Sequence, residues 1–167
     1  MLILFKDSTL LKYGFAISLL MVLAYTDGGC SGNPGPGAWA YVLKINGTHI
    51  EESGCTGDTT NNRMELTAVV RALEHVLSYK GLKDRDIDLF TDSMYVKKGI
   101  TEWINGWLRN GWRTKAKKPV KNKELWVELL NLSNRLKIRW NWTPGHSGIE
   151  LNERCDRLVR QEIRKLI

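Results

Sequence analysis

The chain has 167 residues and a formal net charge of +7, with 43% apolar and 26% charged residues. That length suits one domain rather than two independent cores, and the composition is that of an ordinary soluble globular protein. The positive charge points to a polyanionic partner and says nothing about fold. Three widely spaced cysteines, Cys30, Cys55 and Cys155, form no C-x-x-C pair. Their odd number and spacing argue against a disulfide framework and a zinc site, and suit a reducing cytoplasm.

Lys6 and Lys12 precede an apolar run from Tyr13 to Tyr25 that superficially resembles a signal peptide. The run is too short to cross a bilayer, and cleavage near Ala24 would remove most of a strand the fold needs. Either Met21 is the functional start or residues 1–20 are a loosely attached extension, with the folded domain spanning 21–167. Met21–Thr26 reads as a buried strand ending at Asp27-Gly28-Gly29, and Gly32 to Gly37 as a rigid Gly/Pro loop that excludes helix. Ala38–Ile45 and His49–Cys55 are predicted strands joined by an Asn46-Gly47 hairpin turn. Asn61 or Asn62 can cap a helix in which Leu66, Val69, Val70, Leu73, Val76 and Leu77 recur at helical spacing up to Gly81. Ile87–Thr91 is a compact strand, and Asp92-Ser93 caps a short helix to about Ile100. Helices are predicted over Thr101–Arg109 and Lys123–Leu136, a last strand over Ile138–Trp142 and a closing helix over Leu151–Ile167. Three meandering strands followed by alternating helices and strands predict an α/β (α+β) domain. It should hold a five-stranded mixed sheet with an antiparallel edge and helices on both faces.

Four carboxylates fall at the ends of these elements: Asp27 ends the first strand, Glu65 lies in the first turn of the long helix, Asp92 ends the fourth strand, and Asp156 lies in the first turns of the last helix. Asp27 and Asp92 share an edge if their strands are parallel neighbours joined by a crossover. Taken singly, each is an ordinary turn, cap or helix-dipole residue. Together they would repel unless a cation neutralised them, and an all-oxygen donor set selects Mg²⁺ or Mn²⁺ over zinc. Two such ions about 3.5–4 Å apart can hold both the attacking water and the leaving oxygen of a phosphodiester.

Five motifs make the pattern specific: Tyr25-Thr26-Asp27-Gly28-Gly29-Cys30; Asn33-Pro34-Gly35-Pro36-Gly37; Thr59-Thr60-Asn61-Asn62-Arg63-Met64-Glu65-Leu66; Thr91-Asp92-Ser93; and Gly145-His146-Ser147-Gly148 through Asn152-Glu153-Arg154-Cys155-Asp156. In order and spacing they resemble bacterial ribonuclease HI over about residues 21–165. The resemblance implies a ribonuclease H-like fold and an endonuclease that hydrolyses the RNA strand of RNA–DNA hybrids, leaving 3′-hydroxyl and 5′-phosphate ends. It implies that Asp27, Glu65, Asp92 and Asp156 bind two Mg²⁺ ions, with Mn²⁺ as a substitute. His146 matches the histidine of a mobile loop that aids proton transfer or product release; alone it would be an ordinary loop residue. His49 and His75 match no motif and are read as structural.

The charge excess is confined to one segment: between Trp103 and Lys123 there are seven Lys or Arg and no Asp or Glu, while the rest of the chain is neutral. A solvated face is the ordinary reading of such a run. Trp103, Trp107 and Trp112, interleaved with Arg109, Arg113, Lys115, Lys117 and Lys118, instead resemble the family's basic protrusion that grips the DNA strand. The three tryptophans could equally pack helices together; Trp112 fits that role best, and Trp103 and Trp107 fit contact. By resemblance Asn33, Thr60 and Asn122 contact substrate backbone, Thr60 and Asn122 in a DNA-phosphate pocket. Cys30, Asn61, Asn62 and Met94 line the path along which the 2′-hydroxyl distinguishes RNA from DNA.

Some positions depart from the family. Asp58 stands where several relatives carry an arginine, which weakens the phosphate pocket. Met94 replaces a glutamine, and Ile149 replaces a second histidine. The competing readings are another nuclease of the same superfamily and a catalytically silent hybrid-binding module. The basic segment and single-domain length favour a free-standing monomeric enzyme, and the presence of all four carboxylates disfavours the silent module. Replacing Lys115, Lys117 and Lys118 by alanine should weaken hybrid binding and flatten its salt dependence, each lost phosphate contact removing about 0.9 from the log–log slope. An unchanged slope in a fluorescence-anisotropy titration would return the segment to a solvated face.

Overall fold

The computed structural model describes residues 21–167; the reading of residues 1–20 lies outside the described residues. Five strands run β1 (Met21–Cys30), β2 (Gly35–Ile45), β3 (Thr48–Thr59), β4 (Asp86–Thr91) and β5 (Lys137–Trp142). The helices are α1 (Asn61–Ser78), α2 (Met94–Lys98), α3 (Ile104–Arg109), α4 (Lys123–Ser133) and α5 (Glu150–Arg164). The sheet order is β3-β2-β1-β4-β5. β1, β2 and β3 pair antiparallel, whereas β4 joins β1, and β5 joins β4, in parallel. This is the mixed sheet expected from the order of elements.

Alternation along the strands assigns the faces. Val22 and Ala24 of β1 and Tyr41, Leu43 and Ile45 of β2 face the larger core, with Leu66, Val69, Leu73 and Val76 of α1 and Trp126 and Leu129 of α4. The intervening Ala38, Ala40 and Val42 face Cys155, Leu158 and Val159 of α5. The two alanines let the last helix approach the sheet closely. Asn46 and Gly47 both take positive φ (52° and 80°), the geometry a two-residue hairpin turn requires.

Several boundaries differ from the sequence reading, among them the end of β3, which runs on to Thr59 rather than stopping at Cys55. β1 continues four residues past Thr26 because Asp27 through Cys30 keep pairing with β2, Cys30 opposite Gly37. Asp27 therefore lies within the strand, not at its end, and Gly35-Pro36-Gly37 belongs to β2 rather than to a loop. The long helix is preceded by Thr60, whose side chain makes no capping bond, so neither Asn61 nor Asn62 is the cap and Glu65 falls in the second turn. The helical pieces expected to break near Ile100 instead form one path, α2 passing into α3 through a π-helical turn at Gly99–Trp103. Gly99 sits there against the fully buried Trp126 ring, where a Cβ would lie 2.0 Å from the indole. Smaller shifts place the end of α4 at Ser133 and α5 at Glu150–Arg164.

β4 stops pairing with β1 at the Thr26–Thr91 register, while β1 runs on beside β2. The sheet thus splits at the carboxyl ends of its parallel strands, a natural place for a ligand cleft. Gly28 lets α1 close one side of the split: a Cβ there would lie 2.2 Å from the backbone nitrogen of Glu65. Gly28→Ala should cost about 1–3 kcal/mol, as overpacking against immovable backbone does. Urea denaturation at equal pH should show the loss, and an unchanged midpoint would mean that α1 does not rest on β1 as described.

Candidate active site

Asp27 extends from the β1 face covered by α5, beside the point where β4 ends. Its Oδ1 accepts from the Gly28 amide at 2.8 Å, one stabilising bond for a poorly solvated carboxylate. Burial dominates and, with the charges of Asp92, Asp156 and Glu65, pushes Asp27 up to about 8 despite the Gly28 bond. Such a shift in a cleft marks a functional site more often than a structural one.

The other carboxylates arrive on separate elements. Glu65 comes from α1; its Oε1 accepts from Asn61 Nδ2 at 2.7 Å and its Oε2 from Ser93 Oγ. Burial raises its pKa, Ser93 and Asn61 oppose the rise, and Asp92 adds to it. Asp92 follows β4 directly and its backbone carbonyl accepts from Trp142 Nε1 at 3.0 Å. Burial is again the largest influence on Asp92 and raises it, with Asp156 adding; Asn152 and His146 pull it down. Asp156 projects from the second turn of α5 and pairs with Arg160 one turn on. One cleft is lined by Asp27, Asp92 and Asp156 together with Cys30, Asn61 and the exposed His146.

The donor set suits a hard divalent cation. Its oxygens are carboxylates, and the raised pKa of Asp27 records burial first and like-charge repulsion second, both of which a cation would offset. Asn152, 2% exposed on the cleft wall, offers a buried carbonyl oxygen with no partner among the described residues. His146, Glu153 and Asp156 also each present a ligand atom within 4.8 Å of the others.

The residues expected to meet substrate fall in three places. Asn33, Thr60, Asn62 and Asn122 line one depression together with Pro34 and Lys121. Cys30 and Asn61 share the carboxylate cleft, and Met94, 44% exposed, opens α2 beside Ser93. Trp103, Trp107, Arg109, Arg113 and Lys115 line a depression of about 670 Å³ on the basic segment. Lys117 and Lys118 are exposed in the adjoining turn, where Arg113 Nη1 donates to the Lys117 carbonyl at 2.9 Å.

The tryptophans divide unequally. Trp103 is 37% exposed, whereas Trp107 is half-buried and meets the buried Trp126 edge-on at 5.2 Å. Trp112 also packs against the core, with Lys123 Nζ 5.9 Å from its ring centroid. Asp58 is exposed and does not line the Asn33–Asn122 depression, whose one charged lining residue is Lys121.

Five contributors carry no site role in the sequence reading, although three of them stand inside its motifs: Ser93, Lys121, Asn152, Glu153 and Arg160. Ser93 was read as a cap, and it does accept from Val96 N at 3.2 Å, but it also holds Glu65. Asn152, Asp156 and Arg160 stand at i, i+4 and i+8, a spacing that puts them on one helix face and could have revealed two of the five.

The RNase H family model matches residues 21–164. Ribonuclease H of Chelativorans sp. (strain BNC1) is 54% identical over 137 residues, 81% of this chain and 81% of the relative. Ribonuclease HI of Brucella melitensis is 53% identical over 82% of this chain and 86% of its own, and ribonuclease H of Nitrosomonas eutropha 50% identical over 86% and 90%. Among solved structures, LC9-RNase H1, described as a type 1 enzyme with the type 2 active-site motif, superposes with a TM-score of 0.75 at 28% identity, covering 88% of this chain and 74% of its own. LC11-RNase H1 in complex with an RNA/DNA hybrid gives a TM-score of 0.66 at 29% identity, covering 86% and 97%. The family model over residues 21–164 and relatives at 50–54% identity over most of both chains place this chain in the ribonuclease H family.

Proposed function

We propose that this chain cuts the RNA strand of RNA–DNA hybrids as a metal-dependent endoribonuclease, with Asp27, Glu65, Asp92 and Asp156 as the ligands of two Mg²⁺ ions. One observation carries the reading: four carboxylates from four separate elements converge on the split in the sheet, in a ribonuclease H family member whose relative LC11-RNase H1 binds an RNA/DNA hybrid. When bound, such ions act as Lewis acids toward the attacking water and the leaving oxygen. The remaining work belongs to the protein. Glu65, fixed by Asn61 and Ser93, holds its oxygens in place before substrate arrives, and Trp142 anchors the backbone from which the Asp92 carboxylate projects. His146, on an exposed loop within reach of the cleft, delivers a proton from a ring nitrogen to the departing ribose O3′. A water oxygen bonds to phosphorus as the P–O3′ bond breaks and its surplus proton passes to bulk water, which leaves a 3′-hydroxyl and a 5′-phosphate.

Substrate is held by backbone, so little sequence preference is expected. Asn33, Thr60 and Asn122 cradle a DNA phosphate, with Lys121 supplying the positive charge that Asp58 does not. Cys30, Asn61 and Met94 border the RNA strand, where the Asn61 side chain can hydrogen-bond a 2′-hydroxyl; Asn62, expected on that path, lies with Thr60 and Asn122 instead. Trp103, Trp107, Arg109, Arg113, Lys115, Lys117 and Lys118 grip the DNA strand. The folded domain, residues 21–167, is read as a cytoplasmic monomer. Its three cysteines are free thiols, and no helix among the described residues is long and apolar enough to cross a membrane.

End-labelled RNA offered as single strand, RNA duplex and hybrid, with Mg²⁺ or EDTA, tests the reading. Cutting should be confined to the hybrid and abolished by EDTA, and Asp27→Asn should abolish cleavage while leaving hybrid binding largely intact. Retained activity in that variant would sink the metal-site assignment. Stability supplies an independent check. Asp27, at about 8 in the folded protein, keeps its proton between the ordinary carboxylate pKa of about 4 and pH 8, while the unfolded chain releases it. Folding stability of the metal-free protein should therefore fall as pH rises through that window. In EDTA, Asp27→Asn should raise the melting temperature at pH 8, with the gap closing towards pH 4; equal melting at pH 8 would contradict the burial of this carboxylate.

A further inference from the structure

Asn152 is neither one of the four carboxylates nor a substrate contact, yet it lines the cleft they form and is 2% exposed. It stands in the first turn of α5, one turn before Asp156, so both side chains face the split between β1 and β4. A buried primary amide is costly unless its donor and acceptor are both satisfied. The Asn152 side chain lies close enough to Asp92 to favour its ionised carboxylate, as a donor does, and the NH₂ group, Nδ2, is the part of the amide that can donate. Its carbonyl oxygen, Oδ1, has no partner among the described residues. A purely structural amide at this position would leave half its polar capacity idle, whereas leucine would fill similar space without that cost.

Asp92 is framed on its other sides as well. Trp142 Nε1 ties down its backbone carbonyl at 3.0 Å. Gly145 passes so close that a Cβ there would lie 3.1 Å from Asp92 Oδ2, so the loop before α5 leaves this carboxylate little spare room. Asn152 is thus placed to set the direction of one carboxylate while keeping an unpaired, buried acceptor beside whatever that carboxylate binds. Mg²⁺ dehydrates reluctantly and keeps several waters, each with O–H donors that need acceptors.

We infer that Asn152 is a positioning residue for the divalent ion: Nδ2 orients the Asp92 carboxylate, and Oδ1 accepts a hydrogen bond from a water of the ion's hydration shell. This rests on the metal-site reading above. Groups behind the direct ligands change metal affinity or activity by about 10–100-fold when removed.

Titration calorimetry with Mn²⁺ as the probe, on wild type, Asn152→Ala and Asn152→Leu, tests the inference. Both variants should bind Mn²⁺ at least about tenfold more weakly. The rise in melting temperature on adding Mn²⁺ should shrink in parallel, while Asn152→Leu keeps a cooperative transition in EDTA. Wild-type Mn²⁺ affinity in both folded variants would overturn the inference and leave the metal site intact. A wild-type protein that binds no Mn²⁺ would overturn the metal-site reading itself and the inference with it. The unmodified protein gives a check free of folding defects: in a ¹⁵N correlation spectrum the Asn152 side-chain NH₂ signals should move with the Mg²⁺ titration. Stationary signals, while the Asp27 and Asp92 amides move, would overturn the role.

Discussion

Like charges in a poorly solvated cleft repel one another, and that repulsion among Asp27, Glu65, Asp92 and Asp156 sets the terms for the surrounding structure. No single segment brings the four together. Asp27 rides on β1, Glu65 on α1, Asp92 on the end of β4 and Asp156 on α5. Each element is anchored by its own core contacts, so the stabilising burial lies away from the site and the cleft carries the strain of crowding. Neutral donors soften the repulsion locally: the Gly28 amide, Asn61 and Ser93 each hydrogen-bond a carboxylate, and Asn152 favours the ionised form of Asp92. The net effect still leaves Asp27, Glu65 and Asp92 with raised pKa values. A site built in this way suits a divalent cation, because the ion's charge offsets both the burial of the carboxylates and their mutual repulsion.

The sheet supplies the geometry that makes this crowding possible. β1 is paired on both sides as far as Thr26 and on one side beyond it, so Asp27 is the first residue of β1 past the last pairing with β4. Helix α1 closes in over Gly28, which brings Glu65 to the same level. On the opposite face, Ala38 and Ala40 admit α5, and with it Asp156 and Asn152. Small residues at these three contacts decide the distances within the cleft, although none carries chemistry.

The basic segment shows a second economy. It must present cations to solvent, yet a short run between helices has little core of its own. Its tryptophans join it to the body of the protein: Trp107 meets Trp126, and Trp112 packs at the same core edge. Trp103 remains exposed beside the Arg and Lys side chains. The same residue type therefore both fixes the segment and remains open at its surface.

Much of this was legible in the linear chain. Strand periodicity, the Asn46-Gly47 turn and the helical spacing of Leu66 to Leu77 are local properties, and each survives in the structure because local geometry decides it. The five motifs identify the family, and the concentration of positive charge between Trp103 and Lys123 needs only counting. Long-range pairing decided the rest. Pairing with β2 carried β1 past Asp27 and drew Gly35 to Gly37 out of the expected loop, and packing against Trp126 turned two separate helical pieces into one path through a π-helical turn. The same holds for Ser93 on Glu65 and Asn152 on Asp92, contacts between residues 28 and 60 positions apart. Period and propensity act over a few residues, whereas the cleft is made by elements that meet only when the sheet has formed; no local pattern encodes which side chains will face each other across it.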